Sequence, residues 1–447
     1  MKTKAPSPGN NPAVHCESRP RTDFFTPDSP QGLRVVQITT DATQAYMGVY
    51  PETPVFTPDS KRFIFLHMGD RPLDALTWRN RRNLMLCEIE NGFAIRRLTE
   101  ESSAKGNVVS PDGKYAYYFV DCTVPGGGVL SFKRISLENY VSETLLVLDA
   151  GLPGTKIFPN QYYGLATISG DGQRVAISAC LADPQKAEAR YGVLVFEVAK
   201  GTVNLVFEQP EFSNTHLQYC QSRDPEASHD LLIQHNHRPR TDQEIEKDSG
   251  TDLHLIRDDG TNWRNLPFAR LGYEFCGGHQ AWRGKRMSVI AQVFSCLDPQ
   301  KPDVWEARLI EGWPYPADLK NHTGANSPLV CRNDLTPQAC DPCIGHFAVD
   351  QTGNHVVFEV LPANKTQKEL EQGILEFRRL WVGTIIRGKD GRETIVARYL
   401  LTPRSSQKYG QASHPHPFFS PDARRIFFNS DVDGYPHVFM VEGFELP

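Results

Sequence analysis

One phrase recurs along this chain and constrains its fold more than any other feature: a turn of Ser/Thr-Pro-Asp-Gly type, a basic or polar residue, then an apolar run. It is read as FTPDSKRFIFLH at 56–67, VSPDGKYAYYFV at 109–120, ISGDGQRVAISA at 168–179, VDQTGNHVVFEV at 349–360 and FSPDARRIFFNS at 419–430. Weaker versions fill the gaps, at 220–236 and 279–293, so that seven units follow one another at roughly 50 to 70 residues, somewhat longer than the usual spacing of propeller repeats. Asp-Gly type turns join adjacent antiparallel strands, and the β-branched and aromatic residues behind them suit a strand. Each unit then continues through two further strand-like segments, as in LMLCEIENGFAIRRLTE and YGVLVFEVAKGTVNLVFEQ. Four strands per unit and seven units predict an all-β, seven-bladed β-propeller.

The last unit ends on PHVFMVEGFELP and is one strand short, whereas LRVVQITTD at 33–41 is a strand with no unit of its own. The N-terminal segment is therefore expected to supply the outer strand of the last blade and close the ring. Residues 1–30, rich in Pro, Ser and Asn, read as a flexible leader, and 31–447 as one propeller domain. Helical periodicity is confined to KTQKELEQGILEFRRL, read as a short helix inserted in the sixth unit.

At 39% hydrophobic and 23% charged residues the chain can bury a large core, and neither a disordered nor a fibrous protein is implied. A formal charge of −5 argues against a broadly basic nucleic-acid binder but leaves room for a local basic pocket that takes an acidic ligand. No apolar run approaches a membrane span and the N-terminal stretch has no apolar core, so the chain reads as unexported and cytoplasmic. The ten cysteines are scattered and several lie in apolar runs, as reduced thiols would. Cys340 and Cys343 have CxxC spacing, but no second pair supports a zinc or redox site, and an ordinary turn is the reading.

A propeller hosts scaffolds and enzymes alike, so function has to come from the sites. Among fourteen histidines, His414 and His416 stand one residue apart in GQASHPHPFFS. On a strand such a pair faces one side, and Pro415 and Pro417 stiffen the segment. Two neutral nitrogen ligands at short spacing, with the amide oxygen of Gln411 just upstream, make a metal site. His279, at the head of an earlier unit, is the third histidine expected in it; His346, at a similar offset, is read as a packed blade residue. In the fourth unit His216 stands at the head of the blade, while His235, His237, Arg238 and Arg240 stand at a strand end, suited to proton transfer and binding at an acidic substrate.

Gln411-x-x-His414-Pro-His416-Pro and the strand phrase behind it, with His279-Gln280-Ala281-Trp282 and LLIQHN upstream, resemble the oligogalacturonate lyases from about residue 33 to the end. The resemblance implies a seven-bladed propeller that cleaves short pectin fragments by β-elimination, leaving a 4,5-unsaturated uronate. It implies a manganese ion held by His279, His414, His416 and Gln411, a histidine base matched best by His216 and second by His235, and an arginine, Arg190. Substrate-binding roles are expected of Arg238 and Arg240. The chain departs from the family's pattern in a long segment at 297–340 and an extra stretch at 238–252, and loops of this size change substrate choice. Two alternatives stand beside this reading: a propeller lyase for another uronic-acid polymer, and a non-catalytic protein-binding propeller of the periplasmic translocation type.

Overall fold

The computed structural model describes residues 17–69, 82–124, 127–182, 190–210, 212, 215–237, 250–268, 274–296, 305–316, 331–338, 343–361, 378–406 and 408–447. The repeated phrase folds the same way in each unit. In blade 2 the Ser110 hydroxyl donates to Asp112 Oδ1 at 2.6 Å and accepts the Tyr115 N–H at 3.0 Å, which closes the turn between the first and second strands. Gly113 occupies the left-handed region, with φ 72°, where the turn reverses. Thr57 with Asp59, Ser169 with Asp171 and Ser420 with Asp422 repeat the hydroxyl–carboxylate contact.

Seven antiparallel sheets result, each a meander of consecutive strands, spanning 45–97, 104–148, 158–209, 218–265, 274–334, 344–401 and 418–442. The first strands of neighbouring blades pack on one another around the axis. The second and third strands are covered on both faces by the blades on either side, which is why they read as continuous apolar runs rather than alternating ones. In Arg425–Ser430, for example, every residue after Arg425 is buried. Aromatic rings fill the seam between blades 7 and 1, where Phe63 and Phe427 meet with ring centroids 4.6 Å apart.

The ring closes as expected. Arg34–Gln37 pairs antiparallel with His437–Glu442, so that the N-terminal strand becomes the fourth of blade 7. The leader is shorter than 1–30: Arg19–Arg21 adds a fifth strand to the same sheet, and Phe24 is fully buried against Phe428 and Phe439. Its polar composition concealed an apolar anchor, Phe24 with Phe25 beside it. The helix expected at 365–380 lies outside the described residues as far as 377; Arg379 and Leu380 begin a strand, Arg379–Arg387.

Candidate active site

Each turn holds a backbone bond that puts the seven blades in common register. The N–H of Thr57, Ser110, Ser169, Cys220, Arg283, Asp350 and Ser420 donates to the carbonyl of the residue that opens the next strand or, for Arg283, immediately precedes it, at 2.8 to 3.0 Å. Four residues upstream of these donors stand Thr53, Gly106, Leu165, His216, His279, His346 and His416. Four successive blades, 4 to 7, therefore carry a histidine at one structural position, near the end of the axial channel where the first strands begin.

The backbone is shaped to present them. His216 and His416 both have φ 43°, in the left-handed region, where blade 2 has Gly106 at 63°. A side chain in that region costs roughly 1 kcal/mol, and such strain gathers at functional positions. Asn429, fully buried, secures the His414–Pro415 segment: its Nδ2 donates to the His414 carbonyl at 3.1 Å, its N–H to the Pro415 carbonyl at 2.8 Å, and its Oδ1 accepts the Gly48 N–H at 2.7 Å.

His346, His414 and His416 converge, with one ring nitrogen of each within 4.8 Å of the others. His346 Nε2 and His416 Nε2 are 3.2 Å apart. On its far side His346 Nδ1 meets Glu359 Oε1 at 2.5 Å, and Glu359, fully buried, is also paired with Arg378. Burial alone would raise the Glu359 carboxyl, but Arg378 and His346 outweigh it and hold the group well below the usual carboxylate range. An ionised Glu359 accepts the Nδ1–H of His346, so that Nε2 is the ring nitrogen turned towards His416, the orientation given to metal-bound histidines by a carboxylate behind them. Gly345 makes room for this: a Cβ there would lie 2.8 Å from Glu359 Oε1.

His279 stands against His346, ring centroids 4.0 Å apart, beside the converging trio rather than within it. His216 lies across Tyr50, whose ring centroid is 4.9 Å from that of His216 and 5.0 Å from that of His416. Burial, reinforced by neighbouring His346, lowers the pKa of His216 to about 4, and burial lowers His414 to about 3. Burial also drives His279 and His416 well below the ordinary histidine value. All four are neutral at pH 7, the form in which imidazole binds a metal or accepts a proton. Among the described residues the Nδ1 atoms of His279, His414 and His416 are buried without a hydrogen-bond partner. Imidazole nitrogens converging on one point, one of them aimed by a buried carboxylate, fit a first-row divalent cation.

His216, His279, His416 and Gln411 line one cavity of about 380 Å³ at this end of the channel, with Tyr50 and Arg82 in its wall. Gln411, exposed on the short 3-10 helix Gly410–Ser413, sits at the rim. Other expected residues are elsewhere. Arg190 begins the third strand of blade 3 and is paired with Glu208 on the fourth. His235 points into the seam between blades 3 and 4, its ring stacked on Phe212 at 4.1 Å and 8°; its neighbours Gln234 and Asn236 face the cavity instead. Arg238, Arg240, most of 238–252 and 297–340, and Cys340 lie outside the described residues. His346, noted in the sequence at an offset similar to that of His279 and expected to be a packed blade residue, stands instead in the converging trio, and Arg82, in the cavity wall, carries no sequence motif.

Fold and site together define a class: a seven-bladed propeller with a cluster of neutral imidazoles, apt for one cation, at one end of its channel. Comparison with known proteins points the same way. No protein-family model matches the chain. A segment of 54 residues is 35% identical to an oligogalacturonide lyase of Pectobacterium atrosepticum, spanning 12% of this chain and 14% of the length of that relative. The structure is similar to an oligogalacturonate lyase of Vibrio parahaemolyticus, with a TM-score of 0.65 at 16% identity over 96% of this chain and 97% of the other. It is similar as well to an oligogalacturonate lyase in complex with manganese, with a TM-score of 0.64 at 18% identity over 96% and 98% of the two chains. The resemblance to oligogalacturonate lyases read from the sequence is thus found again in the fold.

Proposed function

We propose that this chain is a metal-dependent lyase that cleaves oligogalacturonate, short pectin fragments, by β-elimination to a 4,5-unsaturated uronate. The observation that carries the reading is the convergence of His346, His414 and His416, with Glu359 behind them and His416 in the wall of the cavity, on a fold shared end to end with oligogalacturonate lyases. The cation would be held by these three histidines, with Gln411 at the rim and His279 beside them; manganese is the first candidate, because one of the similar structures is a manganese complex.

The C5 proton of a uronate lies next to a carboxylate and is too weakly acidic for imidazole to remove unaided. A divalent cation at this site supplies Lewis acidity, polarising the substrate carboxylate and stabilising charge that develops on it. The remaining work falls to side chains of this chain. His216, neutral at pH 7 and facing the cavity, takes the proton from C5 as the bond from C4 to O4 breaks and the C4–C5 double bond forms. Tyr50, its phenol kept protonated by burial, stands between His216 and His416 and donates to the departing O4. Arg82 supplies the cation for a uronate carboxylate, in place of Arg190.

The test is an ultraviolet assay for the unsaturated product on oligogalacturonate, before and after removal of metal by a chelator. Product should form with metal, cease without it and return when manganese is added back. No product from metal-loaded protein on oligogalacturonate would overturn the substrate, and chelator-insensitive turnover would overturn the metal. His216→Ala should abolish product while leaving metal content intact; if His279→Ala alone does so, the base is His279.

A further inference from the structure

We propose that blade 4 carries a second cation site, separate from the axial cluster, in which His235, Asp252 and His254 take a divalent first-row transition metal. His235 and Asp252 are register partners on adjacent strands, and His254 follows two residues after Asp252 on the same face. One ring nitrogen of each histidine and a carboxylate oxygen of Asp252 lie within 4.8 Å of one another.

The hydrogen-bond pattern prepares His254 as a ligand. The indole Nε1–H of Trp263 can only donate, and it meets Asn265 at 3.0 Å, so the Asn265 atom there is the carbonyl Oδ1. The same oxygen meets His254 Nδ1 at 2.9 Å. An amide oxygen can only accept, so Nδ1 of a neutral His254 carries the proton and Nε2 keeps the lone pair. Outer partners that fix a tautomer in this way are a regular feature of metal-binding histidines. Aromatic packing immobilises both rings: Phe212 stacks on His235, and Trp263 lies 4.5 Å from His254, which is only 7% exposed.

Two imidazoles and one carboxylate suit zinc, cobalt, iron or manganese better than calcium or magnesium, which take oxygen ligands. Three protein ligands leave further positions for water or for an oxygen of a bound molecule. Gln234 and Asn236, which flank His235, face the central cavity, so the strand Asp230–His237 separates the two sites. The inference is independent of the proposed lyase activity.

The experiment is a metal titration of the full-length protein stripped by chelator, using zinc alone and then cobalt alone, with bound metal counted by mass spectrometry and cobalt followed by its visible absorption. Two equivalents are expected for the unaltered protein. Asp252→Asn should lose one of them and keep the other, and His416→Ala should do the reverse, with different cobalt spectra for the equivalents that remain. His235→Gln, at a half-buried position, repeats the test should Asp252→Asn change the unfolding midpoint of the metal-free protein. A second equivalent that survives both Asp252→Asn and His235→Gln overturns the site, as does a wild-type protein whose single bound equivalent survives them. Loss of the other equivalent in His416→Ala reports separately on the axial cluster.

Discussion

His346 gains its chemistry from residues that never reach the cavity. Its Nδ1–H is taken by Glu359, and Glu359 stays ionised in the interior because Arg378 is paired with it. Glu359→Gln keeps the shape but offers a weaker acceptor, and an amide placed with its NH₂ towards His346 would force the other tautomer. Removing such an outer partner costs about 10 to 100-fold in metal affinity. A loss of that size in the titration of manganese into folded Glu359→Gln would agree with the assignment, and the broken pair with Arg378 should separately cost about 3 to 5 kcal/mol of stability; unchanged affinity would refute it. Tyr50→Phe makes a complementary prediction. Metal content should hold while kcat falls, since the ring still packs against His216 and His416 and only the hydroxyl is gone. At this scale the sequence was legible where histidines carried spacing: His414 and His416 by their adjacency, His216 and His279 by their place before a strand. It was not legible for His346, whose surroundings in IGHFAV look like a packed strand, because Glu359 and Arg378 are thirteen and thirty-two residues away and meet it only through the sheet.

The element that repeats is the turn, and its exceptions show what the repeat needs. Cys220 and Arg283 stand where other blades have Ser, Thr or Asp, and the backbone bond across the turn forms regardless. The weaker copies of the phrase were readable as blades for that reason: strand pattern persists where the hydroxyl is missing. Arg283 has become a strut. Only 2% exposed, it donates Nη1 to Glu311 at 2.7 Å and to Glu393 at 2.6 Å, and Nε to the Gly353 carbonyl at 2.9 Å, so that blade 5 is tied to blade 6. Glu311 is 1% exposed and has Ser288 as its other partner. Replacing Arg283 by Ala leaves a buried carboxylate without its counter-charge, and breaking a buried pair from one side costs about 3 to 5 kcal/mol. Chemical denaturation should show that loss in Arg283→Ala. The double variant Arg283→Met with Glu311→Leu, which removes both charges and retains volume, should recover much of it.

At the scale of the whole ring, the two ends of the chain meet in blade 7. The closing strand was legible because LRVVQITTD has strand composition and no unit of its own. Arg19–Arg21 was not, since its hydrogen bonds form only with a strand already in place. His437 sits at this seam, 1% exposed, with Nδ1 3.1 Å from the Thr39 hydroxyl, and that hydroxyl accepts the N–H of Val438 at 3.0 Å. The Thr39 hydroxyl thus bridges the His437 ring and the backbone of the last strand. Burial lowers the His437 pKa to about 4 against the pull of Asp433 and Asp41, which raise it, while Arg21 and Arg19 add to the lowering. Between an unfolded value near 6.5 and the folded one, the unfolded chain binds a proton that the folded chain refuses. Stability is therefore complete above about pH 6.5 and falls as pH drops towards 4, by about 3 kcal/mol from this residue if the shift is fully expressed. His437→Asn retains a hydrogen-bonding side chain beside Thr39 and cannot titrate. Urea unfolding of metal-free protein at pH 7.5 and 4.5 should therefore show a smaller acid loss for the variant than for the parent. The residual loss belongs to His216, His279, His414 and His416, buried neutral at the other histidine positions. Equal acid losses in variant and parent would place the acid sensitivity in the axial cluster and remove His437 from the account of ring closure.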